Sequence, residues 1–115
     1  MPLQVFGHPK SKASRKVQRW LKERRIPFSY VDVTKRPPSP GELRRFVQKF
    51  GAEGVLDPES KTYQDKGLRY VSASDDDWIT RMVDDPTVLR LPLVRNGNEL
   101  AVGDDEQAWA RLSQT

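Results

Sequence analysis

The chain has 115 residues, 36% of them apolar and 31% charged, which suits one domain with a modest core under a very polar surface. It contains no cysteine and a single histidine, which excludes disulfides, thiolate catalysis and cysteine-held metal or iron–sulfur centres, and argues against a zinc site. The net charge of +4 conceals a polarity: residues 1–51 carry 13 Lys/Arg against 3 Asp/Glu, and residues 52–115 carry 7 against 13.

In chain order, Leu3 to Phe6 is a short apolar run that reads as a buried strand ending at Gly7. The loop His8-Pro9-Lys10-Ser11 leads into a helix with Ala13, Val17, Trp20 and Leu21 on one face. A strand, a tight loop and a helix N-terminus gather unpaired backbone N–H groups at one point, the arrangement that binds anions or activates a nucleophile. Ile26-Pro27 stops the helix, and residues 28–33 (FSYVDV) alternate into a second strand, so the two strands should be parallel with a right-handed crossover. After the turn at 35–38, Ser39-Pro40-Gly41-Glu42 supplies a capping Ser, a Pro at the first helical position and a Glu three residues on. That helix shows Leu43, Phe46, Val47 and Phe50 at helical spacing and closes at Gly51. Asp57 to Ser60 reads as a turn, and a short helix interrupted at Gly67 falls within 63–70.

Ser74 and Asp77 have the spacing of a second capping box, before Trp78, Ile79, Met82 and Val83. The acidic cluster 75–77 is read as complementing the helix dipole rather than as a metal site. Asp84-Asp85-Pro86 ends this helix. The apolar runs 88–94 and 99–102 flank an Asn96-Gly97 hairpin signal, and the acidic stretch 104–107 opens a last helix with Ala108, Trp109 and Leu112 inward. The expected order is β-α-β-α-α-α-β-β-α, an α/β domain over residues 1–115 with a small four-stranded mixed sheet flanked by helices. No run of 18 apolar residues and no signal-peptide pattern is present, so no membrane span is expected and cytoplasmic location is the default. The basic half is compatible with a nucleic-acid surface, but no readout motif accompanies it, and the simpler reading is a solvated helix face complemented by an acidic neighbour.

The loop 7–16, the helix entry 37–43 and the segments 90–94 and 102–106, in that order and spacing, resemble the glutaredoxin-related arsenate reductase and Spx family, of thioredoxin-like fold with a helical insertion. The resemblance covers nearly the whole chain. It implies that Pro92 is cis and lies against the 8–12 loop. It also places Pro9, Ser14 and Arg15 on the family's loop motif, with Ser11 at the position of the nucleophilic cysteine. The second loop cysteine of Spx-type members falls at Ser14, and the arginines that hold the oxyanion in the reductases fall on or near Glu59, Leu91 and Val102, with Arg90 and Arg95 flanking the second of these.

A serine hydroxyl in the same field stays protonated and needs a positioned base, for which His8 is the only histidine; its plainer role is a helix cap. The expected function is therefore a non-catalytic arsenate reductase/Spx-like domain acting as a protein-interaction or regulatory module. RNA polymerase is the partner implied by the Spx resemblance, and the basic residues Lys12, Arg15, Lys16, Arg19 and Lys22 form the expected docking face. Two alternatives accompany it: a glutathione-linked reductase or transferase with another nucleophile, and a phosphate- or sulfate-type anion binder at 10–15. The binding residues expected are Lys10, Ser11, Lys12, Ala13, Ser14, Arg15 and Pro92, with no metal and no cofactor.

Overall fold

Side-chain caps set the helix starts. In the structure, a computed structural model that describes residues 3–114, the Ser11, Ser39, Ser60 and Ser74 hydroxyls and the Asp105 carboxylate each accept the backbone N–H three residues on. They open α1 (Lys12–Glu23), α2 (Pro40–Val55), α3 (Lys61–Asp65), α4 (Asp75–Asp84) and α5 (Glu106–Ser113). The strands are β1 (Leu3–Gly7), β2 (Phe28–Asp32), β3 (Leu93–Asn96) and β4 (Glu99–Val102).

Two compact units result, one from residues 1–36 and 91–115, the other from 37–90. The first holds the sheet, in the order β2-β1-β3-β4. β1 pairs parallel with β2 and antiparallel with β3, and β3 pairs antiparallel with β4, giving the mixed sheet the sequence predicts. Leu3 and Val5 of β1, Val17, Trp20 and Leu21 of α1, Val94, Ala101, and Ala108, Trp109 and Leu112 of α5 form one buried cluster. Trp20 and Trp109 meet edge to face within it, centroids 5.8 Å apart, and the Arg24 guanidinium lies 4.0 Å over the Trp20 ring. At about 25 cal/mol per Å² of apolar surface, each large side chain of this cluster contributes roughly 1.5–3 kcal/mol.

The second unit is helical. α2 and α4 bury Leu43, Phe46, Val47, Trp78, Ile79 and Met82, and Arg44 pairs with Asp76 at 2.6 Å. Gly67, at φ 60°, separates α3 from a 3₁₀ turn at Leu68–Tyr70, the predicted interruption.

Several expectations shift. The inward face of α1 takes Ser14 rather than Ala13, which is only half-buried. Phe50 is not a core residue: it is 36% exposed at the end of the first helical stretch of α2, with the Lys49 ammonium over its ring. Gly51 does end that stretch, at φ 76°, but a further turn resumes behind it to Val55. The apolar run 88–94 is not one strand. A 3₁₀ turn (Pro86–Val88), an isolated bridge between Leu89 and Leu56, and the cis Leu91–Pro92 bond come before β3 starts at Leu93. Helix α1 ends before Pro27 is reached: Ile26 N–H donates to Leu21 O and Arg25 N–H to Lys22 O, with Arg25 left-handed at φ 56°. That is the Schellman arrangement, with an arginine where glycine is usual.

Candidate functional site

The loop between β1 and α1 is closed by its own polar atoms. Ser11 N–H donates to His8 O (2.9 Å), and Lys10 N–H donates to His8 Nδ1 (3.1 Å). Ser11 Oγ accepts Ser14 N–H at 3.1 Å, and Arg15 Nη1 donates to Pro9 O at 2.7 Å. Ser11 is thus the N-cap of α1, its hydroxyl bonded to a backbone amide rather than to His8.

Ser14 is the buried anchor. It is fully enclosed, and its Oγ accepts His8 N–H at 3.2 Å, tying the first turn of α1 to the end of β1. Gly7 makes that approach possible: a Cβ there would stand 2.8 Å from Ser14 Oγ, 2.9 Å from Ser14 Cβ and 3.0 Å from Tyr30 Cε1. Tyr30 Oη is buried with no hydrogen-bond partner, and burial, then the nearby Asp32 carboxylate, pushes its pKa above the ordinary phenol value. Asp32 is held below the usual carboxylate range chiefly by the Thr34 hydroxyl (2.7 Å) and N–H, with smaller help from the charges of His8 and Lys35.

Of the amides expected to line an anion site, those of Ser11 and Ser14 are engaged within the loop. Among the described residues, the N–H groups of Lys12 and Ala13 have no acceptor. Lys10, Lys12 and Arg15 are exposed around them. Pro92 is cis, as expected, and buried. Since Phe6 pairs with Leu93, the register sets Pro92 opposite Gly7, where the loop begins. Pro92 O accepts Gly103 N–H at 2.9 Å.

The arginine positions stay unfilled. Glu59 is an exposed turn residue whose N–H caps onto Asp57, and Leu91 and Val102 are half-buried apolar side chains. Arg90 donates through Nε and Nη2 to Leu56 O (3.3 and 3.2 Å), and Arg95 Nη2 donates to Gln4 Oε1 (3.2 Å). One residue of the expected docking face is withdrawn: Lys16 Nζ lies 3.0 Å from Asp104 and 3.1 Å from Glu106, which raise its pKa in that order. The sequence reading saw Ser14 only as a loop-motif position; its burial has no local signal, because polar residues facing the core look like any other small residue at helical spacing. Among the described residues no cluster of His, Asp or Glu is placed to hold a metal, and no helix is long and apolar enough to cross a membrane.

A parallel β-α-β start, a loop feeding a capped helix N-terminus, a cis proline opening an antiparallel hairpin and a helical insertion define a thioredoxin-like domain of the arsenate reductase type. The chain belongs to the ArsC family, whose model matches residues 6–112. It is 26% identical to the global transcriptional regulator Spx of Staphylococcus aureus over 110 residues, covering 94% of this chain and 84% of that one. It is 25% identical to the uncharacterized protein YusI of Bacillus subtilis, covering 96% of this chain and all of YusI. The crystal structure of an ArsC-family-related protein from Bacteroides fragilis superposes with a TM-score of 0.88 at 18% identity, covering 97% and 98% of the two chains.

Proposed function

We propose that residues 1–115 act as one non-catalytic ArsC/Spx-like domain whose output is protein interaction. The observation that carries this reading is the state of Ser11: in a chain without cysteine, the family's nucleophile position holds a hydroxyl that accepts Ser14 N–H as the N-cap of α1. Activating a serine takes a base within hydrogen-bond reach, and His8 Nδ1 accepts Lys10 N–H instead. The unfilled arginine positions point the same way, because a tetrahedral oxyanion needs donors already in place. Likeness to a global transcriptional regulator makes RNA polymerase the first partner to try. The test immobilises the domain and measures retention of purified RNA polymerase, alongside glutathione-coupled arsenate turnover. Retention without turnover is expected; turnover above the free-thiol background supports the alternative of a glutathione-linked reductase or transferase and ends the present reading.

A second reading rests on the amides of Lys12 and Ala13, with Lys10, Lys12 and Arg15 around them: weak binding of phosphate or sulfate. Helix-terminus contributions of about 0.3–1 kcal/mol each give affinity in the millimolar range. Amide shifts in a phosphate titration should then be largest at Lys12 and Ala13 and small at Ser11 and Ser14; shifts confined to other segments would end this reading.

A further inference from the structure

Four cations of this protein pair with acids: Lys16 meets Asp104 and Glu106, Arg44 meets Asp76, Lys66 meets Asp85, and Arg111 approaches Glu99. The outermost face of α1 instead gathers several cations along one line. Lys12, Arg15, Arg19 and Lys22 are all exposed, and their i, i+3, i+7, i+10 spacing sets them in a single stripe opposite the buried Val17 and Leu21. Among the described residues none of the four has an acidic partner. At 1.5 Å per residue the stripe is about 15 Å long.

From this stripe we infer the face through which the domain binds and the chemistry of what it binds: a single acidic helix or strand of a protein partner, laid along α1. The inference rests on the reading of the chain as a binding module and adds the surface. Protein is favoured over nucleic acid by what borders the stripe. On the flank that carries Lys16 stand Glu23, Asp104 and Glu106. A helix seated in a DNA major groove about 12 Å wide faces phosphates on both walls, so these carboxylates would oppose one wall. A partner helix packs 8–10 Å away along one line and meets the stripe with Glu23, four residues after Arg19, on one edge only. The stripe also carries no aromatic side chain on which an unpaired base stacks, since Trp20 is buried and covered by Arg24.

The probe is a fluorescein-labelled helical peptide with glutamates at i, i+3, i+7 and i+10, compared by anisotropy with a two-turn DNA duplex at about 50 mM salt, where surface charges are least screened. Arg19→Glu/Lys22→Glu should weaken peptide binding about tenfold or more, and Arg19→Gln/Lys22→Gln should fall between it and the parent. Lys35→Glu/Arg36→Glu, which changes the charge equally in the exposed turn after β2, should change it less than about twofold. Equal losses from both reversals, no binding of the peptide, or tighter binding of the duplex with the same sensitivity would each overturn the inference. A domain that binds the peptide through the stripe yet fails to retain polymerase retires that partner and leaves the surface standing.

Discussion

Replacing Ser11 with cysteine restores the missing thiol and asks how much of the loop's field survives. In the parent, Ser11 Oγ accepts Ser14 N–H at 3.1 Å, and a thiolate at the same position inherits that donor. A hydrogen bond to a charged acceptor is worth about 1.5–3 kcal/mol, and an exposed helix N-terminus adds roughly 0.3–1 kcal/mol. Solvent exposure of Lys10, Lys12 and Arg15 keeps their share small. With 1.36 kcal/mol per unit, the thiol should titrate about one to three units below the free value of about 8.5. The assay is the pH dependence of alkylation by iodoacetamide, read without interference because the chain has no other thiol. A value at or above that of a free thiol would refute the account of the loop as a stabiliser of negative charge. Arsenate reduction should nevertheless stay absent in Ser11→Cys. Arg90 is directed to Leu56 O and Arg95 to Gln4, and each missing oxyanion donor costs on the order of 10²–10³ in rate.

Three stability predictions accompany it. Gly7→Ala forces a methyl against Ser14 and Tyr30 and should cost about 1–3 kcal/mol, read as a lower chemical-denaturation midpoint; an unchanged midpoint would mean the strand and helix are not in close contact there. Arg25→Gly relieves a left-handed residue at the end of α1 and should stabilise the protein by about 0.5–1 kcal/mol, whereas Arg25→Ala should gain nothing. The Asp85 carboxylate is held below its ordinary range first by the Thr87 hydroxyl at 2.6 Å and then by Lys66, so its stabilisation is present above the unfolded pKa and is lost as pH falls through the lower folded value. Asp85→Asn should therefore lower stability at neutral pH and flatten the decline below about pH 4 in denaturation midpoints measured across pH.

Much of this architecture is local and was readable as such. Ser39, Ser74 and the 104–107 stretch announce helix starts because capping is a contact between residues three apart. The hairpin turn is equally local, although the loop proper is Gly97-Asn98, with Asn96 still paired to Glu99. Gly97 takes φ 61° at the first loop position, where a II′ turn calls for glycine. What the sequence hid depends on distant partners. An apolar run such as 88–94 looks the same whether it pairs along its length or only from Leu93 onward, and Phe50 at the fourth helical position looks buried until Gly51 turns the chain away. In the loop, the resemblance placed Ser11 and Ser14 on the family motif and Pro92 at a cis bond, which is observed. The division of labour, with Ser11 capping and Ser14 bridging strand and helix, follows from a steric fit between Gly7 and Ser14 that no spacing rule encodes.

The sheet-bearing unit is discontinuous along the chain, and that has a kinetic meaning. Val5 pairs with Tyr30 on one side and with Val94 on the other, the second partner roughly 90 residues away against roughly 25 for the first. Closing the longer loop as a flexible chain costs only ~1 kcal/mol more, but the search must wait for both ends of residues 37–90. If the helical segment orders first, the effective loop shortens and β3 is delivered to β1 as a late step. Loosening α2 or α4 should then slow assembly of a sheet to which neither contributes a strand.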